Sequence, residues 1–503
     1  MATVETARRG PRTYGNWRKP SSPGLLGLGT VGTGLMFVAL LIVIVVLMTG
    51  GIWPAVITAA VFGGVILLLA ARDADGFSIM SRTARRAAFA SAKNRRANVY
   101  RSGPLGRSEW GTNQLPGLGA QTRLSEHEDS YLRPFAMIYS PQAKTYSIVI
   151  GTEPDGAALV DQEQVDFWVA DWGNWIANLA DEPSLEAATV TIETAPDSGR
   201  RLRREVETNI DEHAPEFAKA MLGEVVLTYP AGSSTVKAYV TLTFGAAPRK
   251  GAKPRPADEM ARELAARLPA LTATLQATGA GSARPLSAQE LCETIRVAYD
   301  PAAATLIDDA HAIGEVPELL WSDVGPTAAQ ASWDGYRHDS AKSVTWAMTQ
   351  APRGLVQSGV LGRLLAPHRD IARKRVTLLY KPVDPAKAAA MVESDLRSAE
   401  FRASSTRKPL ARDTLAVRAA QATAAEEAGG AGLVNFGILV TATVLDPAKE
   451  TDARAAVDNL GATARLRLRP VYGSQDSAFA AALPLGLVLT KHVAVPSMLR
   501  ERV

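Results

Sequence analysis

Residues 20–71 read PSSPGLLGLGTVGTGLMFVALLIVIVVLMTGGIWPAVITAAVFGGVILLLAA, without a single Asp, Glu, Lys, Arg or His. A helix rises about 1.5 Å per residue, so roughly 20 apolar residues cross the hydrocarbon core of a bilayer. Residues 24–49 supply one such crossing and residues 52–71 a second. Between them, Gly50 and Gly51 permit a tight reversal, Trp53 suits the far interface, and Pro54 is tolerated in a first helical turn. The pattern predicts a transmembrane helical hairpin with almost no external loop.

The flanks orient it. Arg8, Arg9, Arg12, Arg18 and Lys19 come before the hairpin; Arg72, Arg82, Arg85, Arg86, Lys93, Arg95 and Arg96 follow it. Positive charge on both flanks of a neutral turn predicts a multi-pass protein of the inner (plasma) membrane with both termini cytoplasmic. A cleaved signal peptide does not fit, because the n-region is long, the apolar run is extended and a second apolar segment follows at once. Gly27, Gly29, Gly32, Gly34, Gly63 and Gly64 allow close helix approach, either within the hairpin or against another membrane subunit.

Residues 79–98 alternate Ala and Phe with Arg and Lys and read as a basic juxtamembrane helix. Arg82, Arg85, Arg86, Lys93, Arg95 and Arg96 form an electrostatic collar for anionic lipid headgroups, at about 1 kcal/mol per cation near the surface. Nucleic acid is the less favoured partner, since only Phe89 and Tyr100 could stack on bases. Residues 101–119 are rich in Gly and Pro and read as a linker, with Trp110 as a pin.

Beyond the linker the pattern is an α+β cytoplasmic region. Strands are predicted at 133–140 and 145–152 (joined by a turn at 141–144), at 185–194 and at 236–244. Helices are predicted at 161–179, whose aromatic face carries Trp168, Trp172 and Trp175 as core, over a single stretch at 201–222, and at 258–276. An echo follows: strand 377–380 leads into Val383-Asp384-Pro385-Ala386-Lys387, and strand 434–444 into Leu445-Asp446-Pro447-Ala448-Lys449. Asp to cap a helix and Pro in its first turn give both the same strand-to-helix junction, and 465–471 reads as a returning strand. These units predict ferredoxin-like repeats. The expected divisions are 1–23, 24–71, 72–125, 126–330 and 331–503.

Chemistry is sparse. The net charge of +4 on 503 residues gives no general case for nucleic acid, and a single cysteine, Cys292, excludes an intramolecular disulfide or a thiolate cluster. G-x-x-x-x-G-K-[ST], H-E-x-x-H and G-x-S-x-G are all missing. Cys292 reads as a structural thiol and Glu126-His127-Glu128-Asp129 as an exposed strand entry. Trp333, Tyr336, Arg337 and His338 suit either a ligand platform or an inter-domain contact. No catalytic residue, cofactor or metal is expected, and the chain is not expected to be an enzyme.

Tyr14-Gly15-Asn16-Trp17-Arg18-Lys19-Pro20, followed by Gly24-Leu25-Leu26-Gly27-Leu28-Gly29 and the charge-free hairpin, resembles an actinobacterial family of conjugative-element membrane proteins. These resemble the two-helix inner-membrane subunit of type IV secretion systems fused to the N-terminal, non-ATPase domain of the secretion ATPase. Residues 475–486 resemble the helix and Leu-Pro junction that closes that domain. The resemblance implies a non-catalytic component that anchors and recruits a separate, Walker-containing cytoplasmic ATPase, as a homo-oligomer among other membrane subunits. Tyr14, Trp17, Arg18, Gly27, Gly29, Gly32 and Trp53 are the candidate membrane- or partner-docking residues. The alternatives are a type VII secretion membrane subunit, a membrane-tethered DNA-binding protein, and a tethered enzyme whose site is assembled only by tertiary geometry.

Overall fold

The computed structural model describes residues 12–15, 17, 29–70, 79–106, 112–154, 156, 159–196, 199–211, 213–228, 234–248, 252–352, 354–405 and 410–492. The chain divides into two compact units, 1–16 with 99–493, and 17–98 with 494–503. It starts in the larger unit with strand β1 (Thr13–Tyr14) and then enters the smaller one. There α1 (Gly29–Gly50) and α2 (Ile52–Ala70) form an apolar pair, followed by α3 (Ile79–Asn94). The reversal between α1 and α2 falls on Gly51, whose φ of +82° favours glycine. Among the described residues one helix, at Gly32–Gly50, is long and apolar enough to cross a membrane; the apolar run of α2, Ile52–Leu67, is shorter.

The chain returns to the larger unit at β2 (Val99–Arg101). Next come β3 (Arg123–Glu128), β4 (Pro134–Ser140), β5 (Thr145–Glu153), α4 (Gln162–Asn178), β6 (Leu185–Pro196), α5 (Arg200–Asn209) and α6 (Glu216–Thr228). Then follow β7 (Ser234–Gly245), α7 (Ala257–Leu275), β8 (Ser282–Pro285), α8 (Ala288–Tyr299) and α9 (Ala303–Ala312). The rest comprises β9 (Ala328–Ala331), β10 (Tyr336–His338), β11 (Ala341–Gln350), β12 (Val356–Gln357), α10 (Gly362–Leu365) and β13 (Arg373–Pro382). Last are α11 (Pro385–Ser404), α12 (Ala411–Ala428), β14 (Val434–Val444), α13 (Glu450–Thr463), β15 (Arg467–Pro470) and α14 (Gln475–Ala481).

Most strands join one 13-stranded sheet of order β2-β9-β10-β11-β14-β13-β6-β7-β5-β4-β3, with β15 also on β11 and β8 also on β5. Its pairings are antiparallel throughout, and they repeat. The meander β3-β4-β5 has its counterpart in β9-β10-β11. From there β8-β5-β7-β6 and β15-β11-β14-β13 are the same spatial order with the same connectivity. In each half, a helical hairpin links the second of these four strands to the third: α5–α6 after β6, and α11–α12 after β13. The halves join edge to edge at β6–β13, where Thr191 faces Thr377 and Glu193 faces Arg375.

Period-two alternation gives the sheet two covered faces. One carries Phe135, Met137, Ile148, Ile150 and Leu242 against Trp175 of α4 and Leu264 and Leu268 of α7. Its continuation sets Trp346 and Val440 against Leu364 of α10 and Val457 of α13. The opposite face packs Ile138 and Val149 on Leu291 and Ile295 of α8, Phe479 of α14, and Leu483 and Leu485 beyond it. Asp384 accepts from Ala386 N at 3.0 Å and Asp446 from Ala448 N at 2.9 Å, so both echoed junctions are capped as their sequences suggest. The single helix expected over 201–222 is instead α5 and α6, because Pro215 cannot continue α5 and suits the entry to α6.

Candidate functional site

The N-terminal arm is captured by the larger unit. Thr13 pairs with Gln357 and Tyr14 with Val356 in an antiparallel two-strand ladder. Gly15 lies so close to residues 354–355 that an added Cβ would sit 2.8 Å from Leu355 Cδ2 and 3.1 Å from Gly354 O. Arg12 Nε lies 3.8 Å from a carboxylate oxygen of Asp166 on α4. Burial, and then the Asp166 charge, raise the Tyr14 phenol above its ordinary pKa. The chain is therefore held by the larger unit immediately before the apolar helices and again from Val99 onward.

Of the candidate docking residues, Tyr14 and Trp17 are half-buried, Gly29 opens α1, Gly32 is buried, and Trp53 is 79% exposed at the start of α2. Arg18 and Gly27 lie outside the described residues, as does Trp110. A Cβ added at Gly34, Gly63 or Gly64 would meet nothing within 4 Å, so these three glycines leave open helix surface rather than packing the pair together. Phe37, Leu41, Met48, Ile52 and Leu67 are likewise exposed, an outward apolar surface that water does not favour and lipid does.

The collar residues lie on and just after α3. Arg82, Arg86, Lys93, Arg95 and Arg96 are exposed and Arg85 is half-buried. At 3.6 residues per turn, Arg82, Arg85, Arg86 and Lys93 share one face about 100° wide, with Phe89 inside it. From residue 76 to residue 108 the sequence holds no Asp or Glu, so the stripe is of one sign.

Elsewhere the polar groups are committed to structure. His338 is fully buried; its Nδ1 donates to Tyr299 O at 2.5 Å, and Ser343 Oγ donates to its Nε2 at 2.8 Å. Burial pushes its pKa down to about 4. The Ser–His geometry is that of a nucleophile and base, yet both side chains are 0% exposed, out of a substrate's reach. Cys292 is buried, and burial followed by the Glu293 charge pushes its thiol up to about 12.

The 333–338 run splits. Trp333 stacks on Tyr472 at 5.8 Å, while Tyr336 and His338 turn inward onto Phe479 at 5.3 and 4.7 Å and Arg337 stays exposed. At the acidic strand entry, Glu126 accepts from Ala288 N, and Asp129 from Tyr131 N, Arg133 N and the Arg133 guanidinium. Among the described residues, no group of three or more His, Cys, Asp or Glu side chains could hold a metal ion.

The buried ion pair at the junction of the two halves had no signal in sequence. Glu193 Oε1 accepts from Arg373 at 2.7 Å, and Oε2 from Arg375 Nε and Nη2 at 2.9 and 2.6 Å. The partners stand 182 residues apart in the chain, and only the β6–β13 register brings them together.

No curated protein matches the chain. Residues 21–81, which cover the apolar helix pair and the start of α3, match a family model described as Domain of unknown function (DUF8461).

Proposed function

We propose that this chain is a non-catalytic component of a conjugation or type-IV-like secretion machine, held in the inner membrane by α1 and α2 and recruiting a separate Walker-containing ATPase to the cytoplasmic face. The observation that carries the membrane part is the β1–β12 ladder. A single crossing would put residues 13–14 and residues 99–101 on opposite sides of the bilayer. The ladder and the β2–β9 pairing tie both to one unit, which favours an even number of crossings. The 19 residues of α2 extend about 28 Å, and modest local thinning with Trp53 at the interface fits them to a core of about 30 Å. The one-signed stripe of α3 then lies beside anionic headgroups, which favours lipid over DNA as its partner.

In the larger unit, we read each half as a ferredoxin-like repeat. The order β8-β5-β7-β6, recurring as β15-β11-β14-β13, is the fourth-first-third-second arrangement of a split βαβ pair, with a helical hairpin inserted between strands two and three. A duplicated platform of this breadth suits a docking role.

The test is extraction of the tagged full chain from its native host in mild detergent, with identification of co-purifying proteins. Stoichiometric recovery of a Walker-containing secretion ATPase is the expected outcome. Recovery of type VII components would move the protein to that machine, and recovery of no partner would overturn the recruitment reading. A salt-sensitive affinity for DNA, lost on neutralising the α3 cations, would favour the tethered DNA-binding reading instead.

A further inference from the structure

The two halves of the sheet depart from each other where β11 meets β15. In the first half, β5 and β8 pair from Ile150–Pro285 to Glu153–Ser282 without a break. In the second, β11 and β15 pair from Trp346–Pro470 to Met348–Leu468, and the register then shifts before Gln350–Arg467. The extra residue is Thr349, whose hydroxyl donates to Arg467 O at 3.1 Å. Such a bulge bends its strand and re-aims the side chains beyond it.

Past the bulge opens a cavity of about 430 Å³, lined by Gln350, Ala351, Arg465, Leu466 and Arg467. Small-molecule sites span roughly 300–1,000 Å³. Aligned on the two ladders, Gln350, Arg465 and Arg467 take the places of Glu153, Ala280 and Ser282, so neither arginine has a counterpart in the first half. There the indole of Trp168 on α4 closes against Gly279, where an added Cβ would lie 2.6 Å from the ring. After β11 the chain runs instead through β12 and the four-residue α10. The second half keeps the space and lacks the ring.

Charge and backbone point the same way. Residues 340–369 and 459–475, which build the cavity, hold no Asp or Glu. Arg465 has φ +54° and stands one residue past the C-cap of α13. Its N–H donates to Ala462 O at 3.0 Å and that of Leu466 to Gly461 O at 2.9 Å, the bonding that usually places glycine at this position. An arginine there carries a conformational cost. Its Nη1 donates to Leu355 O at 3.2 Å, which fixes the guanidinium at the cavity wall.

We infer that this cavity binds a small planar anion, an aromatic ring that bears a phosphate or carboxylate group. The ring stands against Ala351 and Leu466, as Trp168 does against Gly279 in the first half. The guanidinium forks of Arg465 and Arg467 hold the oxyanion, with the Gln350 amide as a further donor. The site is separate from the tether, the collar and the recruitment of an ATPase, and it stands or falls without them.

The experiment titrates the full chain, in neutral detergent at low ionic strength, with indole-3-acetate and with adenosine monophosphate, followed by calorimetry. Tryptamine supplies the ring with a positive charge, and inorganic phosphate supplies the anion without a ring. At least one ring-bearing anion is expected to bind with Kd of about 1 mM or tighter, and the tighter of the two identifies the oxyanion. R465G and R467Q should each weaken that binding about tenfold or more, and tryptamine should not bind. R465G should keep the wild-type melting temperature, because glycine suits that position, so its loss of binding cannot come from unfolding. On binding, amide exchange should slow at 350–355 and 464–467. Failure of both anions to bind at about 10 mM, equal binding of tryptamine, or wild-type affinity in both variants would overturn the inference. Inorganic phosphate that binds as tightly as the ring-bearing anions would mean an adventitious ion only, and would overturn it too.

Discussion

Replacing Glu193 by Gln removes one charge from the strand pair that joins the two halves of the sheet. Its side chain is 11% exposed, against 17% for Arg373 and 4% for Arg375. Burial alone would raise the Glu193 carboxyl, but the two guanidinium groups overcome it and hold the pKa below its ordinary 4.5. Removing one partner of a buried pair leaves an uncompensated charge and costs about 3–5 kcal/mol. The larger unit has roughly 400 residues, each contributing about 2.1 cal/mol/K of unfolding entropy, so the melting temperature should fall by about 4–6 °C.

Thermal unfolding of the full chain in mild detergent, followed by tryptophan fluorescence, reads this directly. E193L/R373M/R375M, which replaces all three charges by apolar groups, should recover most of the loss, because removing every charge of the cluster also removes their desolvation cost. The sign in pH follows from the lowered pKa. The stabilisation is present above the unfolded-state value near 4.5 and is lost as pH falls through the lower folded value, so wild type and E193Q should converge only in acid. An E193Q melting point within 1 °C of wild type at neutral pH, or an E193L/R373M/R375M variant less stable than E193Q, would refute this reading of the join.

Other outcomes follow from the same physics. Gly486 has φ +66°, and an added Cβ would lie 2.1 Å from Ser147 Oγ, so G486A should lose at least about 2 kcal/mol in denaturant unfolding. His338 is held neutral, with its pKa lowered from 6.5 to about 4, so its contribution is complete above pH 6.5. That contribution, about 3 kcal/mol, should fade as pH drops from 6.5 towards 4, and H338Q should lack this segment of the stability–pH curve. In the collar, R82A/R86A/K93A removes three exposed cations and should weaken retention of anionic phospholipid by about 3 kcal/mol, roughly 150-fold, in native mass spectrometry. Retention of neutral lipid should not change.

What was legible in the sequence was local. Strand 434–444 announces itself by alternation, the 141–144 turn by its residues, and the two Asp-Pro junctions by capping chemistry, and each forms where expected. Ferredoxin-like repeats were expected from the echo of those junctions, but the recurrence of strand order between the two halves was not itself legible, because order and connectivity leave no short motif. The echo at 383–387 and 445–449 lies within the second half and marks successive junctions there, not the repeat itself. The nearest sequence trace of the repeat is Arg284-Pro285-Leu286 at the end of β8 against Arg469-Pro470-Val471 at the end of β15.

The arm was invisible for a different reason. Two residues of strand carry no periodicity, and Tyr14 finds its partner Val356 only through tertiary structure. The same holds for Glu193, whose exchange partners are set by the register of β6 on β13.

The tether itself is tested most directly by accessibility from outside the cell. Single cysteines replace Thr13, Trp53 and Arg101 in turn, on the background of the buried Cys292, and intact cells are treated with a membrane-impermeant maleimide. Thr13 and Arg101 flank the helix pair and belong to one unit, and Trp53 sits at its turn. Labelling is expected at position 53 in intact cells, and at positions 13 and 101 only after permeabilisation. Positions 13 and 101 reacting from opposite sides would mean a single crossing, and would contradict the hairpin tether and the captured arm together.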